Sequence, residues 1–185
     1  MRLILASSSP RRRELMTQAG FTFDVLASNI DETRHPNESP TDYVRRLALE
    51  KASAIAALHP NATVLGADTT VVFEGEVMNK PTSLADAERM LQTLSNKTHR
   101  VHTGLAVVTA ASTRTHVETT HVIFREITPT ELTTYLASGD ALDKAGAYGI
   151  QGYAARWIPR IEGDYFNVVG LPLSAVVNLL KTVGA

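Results

Sequence analysis

Residues Leu3–Leu15, LILASSSPRRREL, can be read as the stretch around which the remaining residues must be arranged. Leu3-Ile4-Leu5-Ala6 is a short apolar run suited to a buried strand. Ser7-Ser8-Ser9 is a small polar loop. Pro10 stands where a helix begins, with Ser9 as N-cap and Pro10 at the first helical position. Leu15, Met16 and Ala19 give that helix an inward stripe, and Gly20 closes it. Arg11, Arg12 and Arg13 fall in the first turn, at the positive end of the helix dipole. Each is unfavourable there by roughly 0.3–1 kcal/mol at low salt. Free backbone N–H groups and serine hydroxyls point the same way, so the stretch reads as a polyanion site. The alternative is three solvated arginines whose repulsion salt screens.

With 185 residues and 44% apolar content the chain has enough material for one large domain or two small lobes. A formal charge of −1 argues against bulk nucleic-acid binding. Basic and aromatic residues are not interleaved as they would be for single strands. The absence of cysteine excludes disulfides, thiolate catalysis and zinc–cysteine sites. The strand-like N-terminal segment suggests neither a signal peptide nor a membrane span, so a soluble cytoplasmic protein is expected.

After Gly20, Phe21–Val25 alternates like a half-buried strand. The polar stretch 28–39 reads as a loop and carries the adjacent acids Asp31 and Glu32, either solvated or available to a metal. Ser39-Pro40-Thr41-Asp42 starts a helix expected to reach Leu58, with Val44, Leu47, Ala48, Ile55 and Leu58 on its apolar stripe. Lys51 falls inside that stripe and needs a partner or a route to water. Thr63–Phe73 reads as a central strand interrupted by Asp68. That carboxylate must be paired, hydrogen-bonded, metal-bound or exposed at a cleft, and its small neighbours suit close approach of a ligand.

Val77-Met78 returns as a short strand ending at Asn79-Lys80-Pro81, where the proline biases Lys80 to extended geometry. Ser83 caps a helix with Leu84, Ala87, Leu91 and Leu94 on its stripe. Thr98–Thr109 and Thr113–Glu126 read as an antiparallel pair. Thr128-Pro129-Thr130-Glu131 is a capping box. Asp143–Gly152, DKAGAYGIQG, is a glycine-rich loop in which Gln151 offers a planar donor–acceptor pair. Tyr153–Ile161 and Tyr165–Val169 read as a hairpin about Glu162-Gly163-Asp164, before a last helix with Leu173, Val176, Val177 and Leu180.

Acids for a divalent cation, together with arginine and lysine for phosphates, are the equipment of phosphoanhydride hydrolysis. In order and spacing, Ser7–Arg12, Ile30-Asp31-Glu32, Glu50-Lys51-Ala52, Gly66–Thr69, Asn79-Lys80-Pro81, Asp143–Gly152 and Val169–Pro172 resemble the Maf family of nucleoside triphosphate pyrophosphatases. The resemblance covers essentially residues 1–185 as a single domain. It implies an α/β fold of the inosine-triphosphatase-like type: a mixed, elongated sheet with flanking helices and two lobes around a cleft. It implies a house-cleaning hydrolase that cleaves nucleotides between the α and β phosphates with Mg2+ or Mn2+.

Carried over by the resemblance, Asp68 is the proton acceptor and Glu32 an acid in catalysis or metal binding, with both as metal ligands. Ser7, Arg11, Arg12, Lys51 and Lys80 are phosphate-side residues. Arg11, Thr69 and Gln151 set substrate class and resemble the branch acting on dTTP and UTP, modified pyrimidine nucleotides included. The branch acting on 7-methyl-GTP typically carries an acid where Gln151 stands. Uracil and thymine offer O4 as acceptor and N3–H as donor. A carboxamide meets both, whereas a carboxylate can only accept. The rival reading is a non-catalytic regulatory nucleotide-binding protein linked to cell division. A homodimer is compatible with the sequence, which does not itself fix an oligomeric state.

Overall fold

A computed structural model describes residues 2–184 of the chain. Among them, seven strands and six α-helices follow in the order β1 (Leu3–Ala6), α1 (Pro10–Gln18), β2 (Asp24–Val25), α2 (Pro40–Leu58), β3 (Thr63–Phe73), β4 (Glu76–Met78), α3 (Leu84–Leu94), β5 (Thr98–Val108), β6 (Thr113–Ile123), α4 (Pro129–Ala137), β7 (Arg160–Glu162), α5 (Tyr165–Val169) and α6 (Leu173–Thr182). The strands form one sheet in the order β2-β1-β3-β5-β6-β7, with β4 on β3. β1 is parallel to β2 and β3, while β4 and β7 run antiparallel to β3 and β6. The expected mixed α/β sheet with flanking helices is therefore present.

The chain divides into two compact units. Residues 1–69, 103–118 and 170–185 make the first; residues 70–102 and 119–169 make the second. In the first, β1 and β3 present Ile4, Ala6 and Val64 to Ala48, Ala52 and Ile55 of α2. Two glycines let that helix lie close. A Cβ at Gly66 would come within 2.2 Å of the Ala48 carbonyl oxygen, and one at Gly104 within 2.1 Å of the Val44 carbonyl oxygen. The second unit has an aromatic core in which Tyr135, Tyr148, Trp157 and Phe124 meet edge to face with His99 among them.

Most local signals hold. Ser9, Ser39, Ser83 and Thr128 all cap helices through their side chains, the last in a reciprocal capping box with Glu131. Lone apolar residues at helix ends do not all turn inward: Leu58 is 73% exposed, and Leu84 and Ala19 also face outward. The strand expected over Phe21–Val25 shrinks to Asp24-Val25.

The hairpin expected from Tyr153 to Val169 does not form. Tyr153–Trp157 is a short 3-10 turn, because Trp157 is drawn into the core and Tyr153 stacks on Tyr135. Tyr165–Val169 is helical, because Asp164 accepts a hydrogen bond from the Asn167 N–H (3.0 Å) as a cap does. Only Arg160–Glu162 pairs with the sheet. Tertiary packing and one cap override β propensity here. No helix among the described residues is long and apolar enough to cross a membrane.

Candidate active site

Asp68 occupies the middle of β3, 8% exposed. Its Oδ1 accepts from Lys51 Nζ at 2.7 Å, and the same ammonium lies 2.8 Å from Glu32 Oε1. Lys51 reaches it from the inward face of α2, where the sequence periodicity put it. It is buried and paired to both acids, so the partner its position required is a carboxylate pair. Burial raises the Asp68 pKa above the usual carboxylate range, and Glu32 adds to the effect. Lys51 and Arg12 pull it back. A carboxyl group held high is a better base than a solvated one.

Glu32 is delivered by a loop that α2 and the loop itself hold in shape. Asp31 accepts from the Thr33 N–H (2.9 Å) in a local turn. The Tyr43 hydroxyl donates to the Glu32 carbonyl (2.9 Å), and Arg46 donates to the Thr33 carbonyl (3.1 Å). Arg46 is itself gripped by Glu38 through two bonds of 2.7 and 2.9 Å. The Glu32 side chain stays 57% exposed.

At the start of α1, Ser7 Oγ accepts from the Ser9 N–H and from Arg12, both at 3.2 Å. The Arg12 guanidinium also donates to the carbonyls of Ala67 and Gly170 and to Thr69 Oγ1, each at 2.9 Å. Thr69 Oγ1 further meets Thr103 Oγ1 at 2.9 Å. Arg11 is half-buried one residue earlier. Thus Ser7, Arg11, Arg12, Glu32, Lys51, Asp68 and Thr69 all belong to the first unit.

Lys80 and Gln151 belong to the second unit, and both are exposed. Their segments are tied to each other: the Gly146 N–H donates to the Asn79 carbonyl (3.2 Å), and Gly146 takes φ +66 against Val71. The same Asn79 accepts from Thr70 Oγ1 at 3.0 Å.

Sequence reasoning passed over Tyr43, Arg46 and Thr103, which hold site residues through backbone or hydroxyl contacts. Only the spacing of Arg46 and Glu50 on one helix face gave a trace of them.

Two acids converging on one ammonium are a sparse donor set. Among the described residues no group of three or more His, Cys, Asp or Glu side chains could hold a metal ion. Mg2+ is usually bound by one or two carboxylates with substrate phosphates completing its shell. Glu32 and Asp68 fit such a phosphate-completed site.

A family model described as Maf-like protein matches residues 2–183. A dTTP/UTP pyrophosphatase of Bacillus anthracis is 48% identical over 97% of this chain and 94% of its own length. One from Geobacillus is 49% identical over 98% of each. Among solved structures, a HAM1 protein from Coxiella burnetii superposes with a TM-score of 0.55 at 13% identity, over 98% of this chain and 99% of its own. The Staphylococcus aureus Ham1 protein gives 0.54 at 11%, over 99% and 97%. At such identities the likeness is one of fold. The family match and the relatives extend over nearly the whole chain, and this protein belongs to the Maf-like family.

Proposed function

We propose that this protein hydrolyses dTTP and UTP between the α and β phosphates, releasing the nucleoside monophosphate and pyrophosphate. The observation that carries the reading is the buried Asp68, held in β3 at bonding distance from Lys51, whose ammonium also meets Glu32. Its support is the near-full-length likeness to proteins named for that activity.

In the proposed reaction a water oxygen attacks the α-phosphorus and the bond from that phosphorus to the α,β-bridging oxygen breaks. Asp68 orients the water and takes its proton, and pyrophosphate departs with the bond's electron pair. Lys51 keeps the two acids at a fixed separation and adds positive charge near the reacting phosphate. Ser7, Arg11 and Lys80 contribute hydroxyl and cationic groups for the triphosphate, while the Gln151 amide pairs with O4 and N3–H of the pyrimidine. Glu32 and Asp68 would hold a divalent cation, which when bound neutralises charge on phosphoryl oxygens.

The test is a panel of nucleoside triphosphates with Mg2+ or Mn2+, scoring pyrophosphate against orthophosphate. UTP and dTTP are expected to lead the panel, with pyrophosphate as first product and activity lost on chelation. Orthophosphate as first product would overturn the reading.

A further inference from the structure

The partners of Arg12 are not those of a phosphate ligand. Parallel pairing between β1 and β3 ends at Ala6 and Gly66. Beyond it the chain leaves β1 for the Ser7 loop. On that side β3 runs on through Ala67, Asp68 and Thr69 past the end of β1. The Arg12 guanidinium takes up this position. Nη1 donates to the carbonyl of Ala67, immediately before Asp68, and Nη2 to the hydroxyl of Thr69, immediately after it, both at 2.9 Å. Nε donates to the Gly170 carbonyl at 2.9 Å, and Nη1 also to Ser7 Oγ at 3.2 Å. A guanidinium has five N–H donors, and these bonds commit four of them to the protein's own oxygens. Bidentate capture of a phosphate needs two parallel N–H groups, and one remains.

We infer that Arg12 is a positioning residue: it fixes the backbone on both sides of Asp68 and so aims that carboxylate, instead of holding nucleotide phosphates. The role rests on the proposed pyrophosphatase reading. It explains why a cation is kept at the unfavourable end of α1, since from that turn a planar fork spans the Ser7 loop, β3 and the Gly170 segment at once. Lysine cannot replace it, because its three donors radiate from one nitrogen. The Thr69 hydroxyl, accepting from Arg12 and close to Thr103, belongs to the same brace.

The experiment compares wild type, Arg12→Lys and Thr69→Val. Binding of α,β-imido-UTP with Mg2+ is measured by calorimetry, turnover of UTP by pyrophosphate release, and folding by thermal melts. Arg12→Lys is expected to lower kcat about 100-fold, the scale of a roughly 1 Å misplacement, with Kd for the analogue within about threefold. Thr69→Val is expected to show a smaller loss with the same split, and the double variant less than the product of the two. A Kd raised about tenfold or more in Arg12→Lys, the scale of a lost charged hydrogen bond, with turnover retained at saturation, would make Arg12 a phosphate ligand. Wild-type kcat in folded variants would make it a merely structural brace. If Arg12→Lys does not fold, the kcat and Kd of Thr69→Val decide alone. Wild type that binds the analogue but cleaves no UTP overturns the proposed function and this role with it. Wild-type turnover alongside lost binding in Arg12→Lys overturns this role only.

Discussion

The Lys51 ammonium stands 2.7 Å from Asp68 Oδ1, and each of the two side chains is only 11% exposed. Each makes the burial of the other tolerable. Removing one leaves an uncompensated charge, a loss of about 3–5 kcal/mol when a buried pair is broken. Lys51→Met is therefore expected to weaken both nucleotide binding and stability. Lys51→Met combined with Asp68→Asn is expected to recover much of the stability. Urea denaturation of the single and double variants checks this, and losses that simply add would show that the two charges are not coupled.

Asp68→Asn keeps size and an acceptor for Lys51 while removing basicity. The variant is expected to fold and to lose at least about 100-fold in kcat, the lower end for a missing general base. A regulatory nucleotide-binding protein would show a change in affinity alone. Normal turnover would leave Asp68 a structural role only.

Gln151 is exposed, at a turn closed by the Gly152 N–H on the Gly149 carbonyl (3.3 Å). Gln151→Glu is thus expected to leave the melting temperature unchanged. It keeps an acceptor, loses the donor to O4 and brings negative charge near a carbonyl oxygen. An unpaired polar group in a closed site costs about 1–3 kcal/mol, or roughly 5- to 150-fold in kcat/KM for UTP and dTTP. Good activity on 7-methyl-GTP is not expected to appear from this change alone. Equal kcat/KM in two equally stable proteins would show that Gln151 does not read the base.

Stability is expected to fall on mild acidification. Burial pushes the His99 pKa down to about 3 and that of His102 to about 4, with Arg100 and His121 adding to the latter. His99 shares a 2.7 Å hydrogen bond with Tyr148, and its Nδ1 has no partner among the described residues. Both groups bind a proton more readily unfolded than folded. Their contribution is therefore complete above about pH 6.5 and declines as pH drops toward 4, by up to about 1.4 kcal/mol per pH unit for each histidine. Denaturation midpoints at pH 7, 6 and 5 measure the slope. A flat profile would mean that both rings ionise freely in the folded chain.

Local chemistry was legible where it is decided locally. Serine and threonine caps, the proline starts and the full extent of β3 were written in short spacings. So was the inward direction of Lys51, although its two carboxylate partners come from segments 19 residues before and 17 after it. Arg12 shows the limit. Its type and place gave no sign of its partners, which lie as far away as Gly170, since a backbone carbonyl carries no residue-specific signal. Tyr153–Val169 failed for a related reason, since aromatic strand formers were claimed by a distant core and by one aspartate cap.

Gly66 and Gly104 set the distance between α2 and the strands by direct atomic contact. Lys51 rides on that helix face, so this spacing also governs where its ammonium can stand. A methyl group at position 66 would press on the Ala48 carbonyl and drive the helix outward. If the charges parted from 2.7 to about 3.7 Å, about a quarter of their attraction would vanish at constant dielectric, and water would gain a way in. The charge balance around Asp68 is thereby tuned like a mechanical gap, by the thickness of a residue that meets neither ion.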